Sequence, residues 1–187
     1  MKQQSTCSKP SKLSVYELAL FGLLGGLMYV SKLFMEALPN IHLLGMFIVA
    51  ETVVFRKKAL YPIYVYVLLD GLFGGFGLWW VPYLYIWTVL WGVVMLLPRN
   101  MSKKTRVIVY ALVSGLHGLT FGILYAPFQM LAFSMNLKTV IAWVAAGFPF
   151  DLIHGISNFL CGFLICPLIH LLQMARNGFA PARGFTP

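Results

Sequence analysis

The feature that most constrains this chain is a succession of apolar runs, each about 15–25 residues long, separated by short clusters of Lys and Arg. About 20 apolar residues suffice for a helix to cross the hydrocarbon of a bilayer. A lipid-exposed backbone has to satisfy its own hydrogen bonds, and only a helix or a closed barrel can do so. Composition points the same way. Of the 187 residues, 60% are hydrophobic and 10% charged, against about 25% charged in a soluble domain. The mean hydropathy is +0.82. A chain this poor in polar groups cannot cover its surface for water, and lipid removes that need. The expected class is an all-α, polytopic membrane protein.

Six spans are expected. The first runs from Ser14 to Ala37 and is closed by Leu38-Pro39-Asn40, since proline lacks the N–H a helix needs. The second runs from Ile41 to Phe55 and stops at Arg56-Lys57-Lys58. The third covers Ala59 to Phe73, and Gly74-Gly75-Phe76-Gly77 breaks it. The fourth begins near Pro82 and ends at Leu97-Pro98; the fifth covers Thr105 to Tyr125; the sixth begins near Pro149 and reaches Met174. Phe128 to Gly147 reads as an outer connection with short helical pieces. The organisation is then a flexible cytoplasmic tail over 1–13, a six-helix membrane domain over 14–175 and a second cytoplasmic tail over 176–187. The basic, then apolar N-terminus resembles a signal peptide, but no A-x-A-like site follows it, so the first run is expected to be retained.

Orientation follows from the cations. Of the 14 Lys and Arg, only Lys32 and Lys138 fall on one side of the expected topology; the others flank the opposite ends of the spans. The positive-inside rule then places both termini in the cytoplasm. The net charge of +9 is no sign of a nucleic-acid partner, because the basic residues form no continuous stripe. They suit anionic membrane lipid instead. Cys7, Cys161 and Cys166 have neither a disulfide framework nor metal spacing, and neither a metal nor a cofactor is expected.

Polar residues inside apolar spans are costly and face a cavity or a partner. With both termini inside, they gather on the outer half. Lys32, Glu36, Asn40 and His42 surround the first outer turn; Asp70 lies in the third span; Gln129, Asn136 and Trp143 fall in the outer connection. Asp151, His154 and Asn158 are spaced i, i+3 and i+7, which puts one carboxylate, one imidazole and one amide on a single helix face. That face can read the polar edge of a ligand or stitch helices together. Trp79, Trp80, Tyr83, Tyr85 and Trp87 crowd into nine positions beside glycines and a proline. Aromatic residues collect at membrane interfaces in any case, but this density suits the wall of a site for a flat ligand. Asp70 reads as the partner of a cation such as Lys32. Glu51 lies deep in the second span, facing a cationic loop residue or a partner subunit. His42, His117 and His170 read first as packing residues, although His42 also lies where a ligand would sit. Gly22 and Gly26 stand four apart on the first span, a spacing that lets another helix come close, whether from this chain or another. No H-E-x-x-H, G-x-S-x-G or P-loop sequence is present.

These strings resemble the substrate-binding S component of energy-coupling factor (ECF) transporters, the vitamin importers of bacteria and archaea. The resemblance covers Ser14 to Leu172. It rests on size, the number and orientation of spans, and three stretches: Leu38-Pro39-Asn40, the run from Gly77 to Trp87, and Phe148-Pro149-Phe150-Asp151-Leu152-Ile153-His154-Gly155 with Asn158 and Pro167 beyond. It implies a protein of the prokaryotic cell membrane that is not an enzyme. Such a protein binds a vitamin near the outer face, joins a transmembrane T component and two ATPases, and topples in the membrane to release its ligand inside. The binding residues would be Asn40, His42, Trp79, Trp80, Tyr83, Tyr85, Trp87, Trp143, Asp151, His154 and Asn158. Members meet the T component through an A-x-x-x-A pattern on the first helix, for which Gly22 and Gly26 are the glycine counterpart here. The aromatic wall, and the lack of an arginine on the outer side, favour a corrinoid, a flavin or a purine-like precursor. Two other readings compete: a small membrane enzyme acting on lipid or isoprenoid with Asp151 and His154 as its acid–base pair, and an assembly subunit that binds no ligand.

Overall fold

The computed structural model describes residues 13–178. The basic residues Lys2, Lys9, Lys12 and Arg183, and Cys7, lie outside it, as does most of both expected tails. Every regular element among the described residues is helical. They are α1 (Val15–Phe34), α2 (Leu44–Phe55), α3 (Leu60–Gly74), α4 (Tyr83–Leu96), α5 (Lys103–Leu119), α6 (Phe121–Ala132), α7 (Leu137–Cys161) and α8 (Ile165–Gly178), with single 3-10 turns at Arg56–Ala59 and Gly162–Leu164. Three stretches are long and apolar enough to cross a bilayer: α1, the 30 residues of α5 and α6 taken together, and the helix from Leu137 to Gly162. At 1.5 Å per residue, α2, α3, α4 and α8 are shorter than the hydrocarbon is thick.

The ends of the helices have local causes. Ser14 opens α1 with a capping box, its hydroxyl accepting the N–H of Glu17 while the Glu17 carboxylate accepts the N–H of Ser14. α1 stops at Phe34, five residues ahead of Pro39, and the chain tightens through Met35 and Leu38 into a turn with Asn40 at φ 60°. Proline is therefore not what ends the first helix. Gly75 closes α3 at φ 87°, a backbone state open to glycine and strained for other residues. Arg56 adopts φ 56° at the end of α2. Trp91 holds it by donating its indole N–H to the Arg56 carbonyl at 3.0 Å, and the Arg56 guanidinium donates to the Met95 carbonyl at 3.0 Å.

The connection expected over 128–147 is instead mostly helix. α6 continues to Ala132, residues 133–136 form the only break, and Asn136 starts α7 by accepting the N–H of Thr139 at 2.9 Å. Pro149, expected at the start of a helix, lies twelve residues inside α7. An apolar run without turn chemistry near Pro149 keeps the ladder going on both sides of a single lost bond. The fifth run, in turn, bends at Thr120, whose hydroxyl donates to the Leu116 carbonyl at 2.9 Å and competes with the helix.

Helix pairing explains the glycines that pack. A side chain at Gly25 would lie 2.6 Å from Val65, so α1 and α3 meet backbone to side chain there. α5 and α7 share a seam in which Gly115 faces Phe159, Gly118 faces His154 and Asn158, and Gly155 faces Leu119. α2 runs through the middle, against α8, α4 and α5, and is buried from Leu44 to Thr52. Outside, large apolar side chains such as Val15, Leu23, Phe34 and Leu131 are more than two-thirds exposed. A surface of that kind suits lipid.

Candidate functional site

Some of the aromatic and polar residues singled out above converge at one end of the bundle, where α2 begins, α4 begins and α5 gives way to α6. His42, just ahead of α2, meets His154 of α7 with ring centroids 4.4 Å apart and interplanar angle 72°. Trp87 of α4 lies edge-on to His42 at 6.1 Å and to Tyr83 at 5.6 Å, and it tilts over His117 of α5 at 5.7 Å. Phe121, the first residue of α6, closes the ring of contacts on His154 at 4.9 Å and Trp87 at 5.7 Å. Asn158 sits one turn further along α7, next to Ser114 of α5; a side chain at Gly45 would touch both.

These polar groups are buried without hydrogen-bond partners. His42 Nδ1, Trp87 Nε1, His117 Nδ1, His154 Nε2, Ser114 Oγ and both amide atoms of Asn158 all lack one. Asn158 and Ser114 are wholly buried, Trp87 is 1% exposed and His154 3%. An unmade hydrogen bond inside an apolar bundle costs about 1–3 kcal/mol, so a concentration of them in one place calls for an explanation. A groove of about 300 Å³ reaches His117 from the side, between α4 and α5, past Val93, Leu116 and Leu124. Pockets that hold small molecules begin at about this volume.

The remaining expected site residues are placed differently. Trp79 stands at the rim, 37% exposed, with Tyr83 at 5.7 Å and the Lys32 ammonium 5.6 Å over its ring. Trp80 gives its indole N–H to the Val67 carbonyl at 2.8 Å and Tyr85 its hydroxyl to the Leu124 carbonyl at 2.8 Å, so both are committed to neighbouring backbone. Trp143 reaches the cluster only through Tyr125, at 6.3 Å. Asn40 takes part through its carbonyl, which accepts the Ser157 hydroxyl at 3.2 Å. Asp151 accepts the N–H of Gly122 at 3.1 Å, capping α6. Asp70 is wholly buried and ion-paired with Lys32, as the sequence suggests. Glu51 is wholly buried and neither carboxylate oxygen has a partner. Gly22 and Gly26 both face open space on the outer side of α1.

His117, Ser114 and Phe121 are the residues that the sequence reading passed over as a group. A signal was there: they repeat the i, i+3, i+7 spacing of Asp151, His154 and Asn158, running from α5 into the first residue of α6. No group of three or more His, Cys, Asp or Glu among the described residues is arranged to hold a metal ion.

Fold and site together define a class: among the described residues, an all-helical bundle with three stretches long and apolar enough to cross a membrane and a buried polar cluster packed among aromatic rings. Comparison with protein families, with curated proteins and with solved structures finds no match in any of the three.

Proposed function

We propose that this protein is the substrate-binding S component of an ECF-type importer, taking up a vitamin or vitamin-like precursor with a T component and two ATPases. In this reading the chain sits in a prokaryotic cell membrane with six spans and both termini inside. The short helices α2, α3, α4 and α8 cross together with longer neighbours, in a thinned bilayer or along the bundle interior. The single observation that carries the proposal is the set of unpartnered buried donors and acceptors among His42, Trp87, His117, His154 and Asn158. A structural network would satisfy its own members; a capture site leaves its polar groups for the ligand. The open glycine face at Gly22 and Gly26 supports docking to a separate membrane protein. The enzyme reading has less behind it, since the Asp151 carboxylate is spent on the α6 backbone.

The deciding experiment is a thermal-shift panel on the purified protein across vitamins and their precursors. A ligand that binds only the folded state raises the melting temperature, and one compound should do so strongly. A melting temperature unmoved by every compound would remove the capture role and leave an assembly subunit.

A further inference from the structure

We infer that the groove between α4 and α5 is a lateral binding site, open to the bilayer, for a small lipophilic alcohol or phenol: an apolar body carrying one hydrogen-bond donor. The inference goes beyond the importer reading and holds whether or not the chain takes up a vitamin. The groove has a volume of about 300 Å³, at which small-molecule pockets begin. Leu90 and His117 are its buried part, while Val89, Val93 and Leu116 are 39%, 42% and 57% exposed on a flank that suits lipid. His117 stands near the midpoint of the 30-residue stretch Lys103–Ala132, about 21 Å along the helix from Lys103. An occupant at that depth arrives through hydrocarbon, so its body is apolar.

The polar complement fixes the donor. Apart from His117 and Thr120 the lining is entirely Val and Leu. His117 Nε2 lies 3.2 Å from the Ile86 carbonyl, which can only accept, so that nitrogen carries the hydrogen. In the neutral ring Nδ1 is then a bare acceptor, and it is buried without a partner. Thr120 gives its hydroxyl hydrogen to the Leu116 carbonyl at 2.9 Å, which leaves its oxygen able only to accept. The groove therefore offers acceptors and no free side-chain donor, and no charged residue lines it. A hydroxyl or phenol supplies the bond that His117 lacks. An ether or hydrocarbon of the same shape does not, and a charged group would lose its hydration with no opposite charge to offset the loss. Hydrocarbon holds no water to compete for that bond, so one donor decides between otherwise equal ligands.

The test is photoaffinity labelling of the full chain in lipid nanodiscs. The probes are 1-decanol carrying a mid-chain diazirine and the methyl ether of the same compound, with the labelled residues mapped by mass spectrometry. The alcohol should label α4 around Val89 and Val93 and α5 around Val113 and Leu116, saturably and in competition with plain 1-decanol. The ether should need at least about fivefold higher concentration for the same labelling. His117→Phe removes the acceptor and should bring the alcohol down to the level of the ether without changing the ether. Val93→Trp fills the groove and should abolish labelling by both. Equal labelling by alcohol and ether, labelling that does not saturate or that spreads evenly over the other exposed helix faces, or a preference for the alcohol that survives His117→Phe overturns the inference. Should His117→Phe fail to fold, the comparison of alcohol with ether on the parent protein decides alone.

Discussion

Asp151 Oδ2 accepts the backbone N–H of Gly122 at 3.1 Å, tying the middle of α7 to the first turn of α6. A carboxylate so placed satisfies one of the orphan donors at a helix start and sits favourably on its dipole. Asp151→Asn keeps an acceptor there and should melt close to the parent protein. Asp151→Ala should lose about 1 kcal/mol. Chemical denaturation of the detergent-solubilised protein separates the two. A loss in Asp151→Asn as large as in Asp151→Ala would show that the charge has another task.

Lys32 and Asp70 make a second test. The Asp70 side chain is wholly buried and Lys32 is 30% exposed. Removing the cation alone strands a buried carboxylate, which costs about 3–5 kcal/mol. Lys32→Met should therefore be strongly destabilising, and the double variant Lys32→Met with Asp70→Leu should recover most of the loss. Unfolding of the two single variants and the double variant gives the coupling energy directly. A double variant no better than Lys32→Met would show that the ion pair is not what Lys32 supplies.

The glycines divide into those that pack inside and those that face out. A side chain at Gly118 would lie 2.8 Å from both His154 and Asn158. Gly118→Leu should thus push α5 from α7, lower the melting temperature and distort the site. A Cβ added at Gly22 or Gly26 meets nothing within 4 Å, so on the proposed reading Gly22→Leu with Gly26→Leu should fold and bind ligand normally. Co-purification with a T component should nonetheless be lost in that double variant. Retained assembly would move the docking face elsewhere.

Topology can be tested with single cysteines placed in a background lacking Cys7, Cys161 and Cys166. Lys103→Cys should react with a membrane-impermeant maleimide only after the cells are opened. Lys138→Cys should react in intact cells. The reverse pattern would invert the orientation, and labelling of both from outside would require a different number of spans.

Reading the sequence reached the helical class and several boundaries because their causes are local. The capping box at Ser14, the glycine turn at Gly75 and the start of α4 after Pro82 all follow from side chains within a few residues. Pro149 misled because a proline can end a helix or sit inside one, and only tertiary support decides which. Gln129 misled in a similar way, since it lies inside α6, whereas Asn136 does fall in the short connection and is the cap that starts α7. The site was legible where residues share one helix face, as His154 and Asn158 do. It was not legible where the pairing is between helices. His117 reads as a lone histidine along the chain, and only the packing of α4 on α5 brings it beside Trp87, while the α5–α7 seam sets Asn158 against the next residue, Gly118.

α2 is twelve residues long and enclosed by its neighbours, with His42 just before it and Arg56 just after. At 1.5 Å per residue the helix is a rod about 18 Å long, too stiff and too well packed to absorb a push by bending. It joins the His42 end of the bundle to Arg56, where the positive-φ backbone is clasped by Trp91 and the guanidinium grips the end of α4. A single buried rod thus sets the separation between the histidine cluster and the Arg56-Lys57-Lys58 turn.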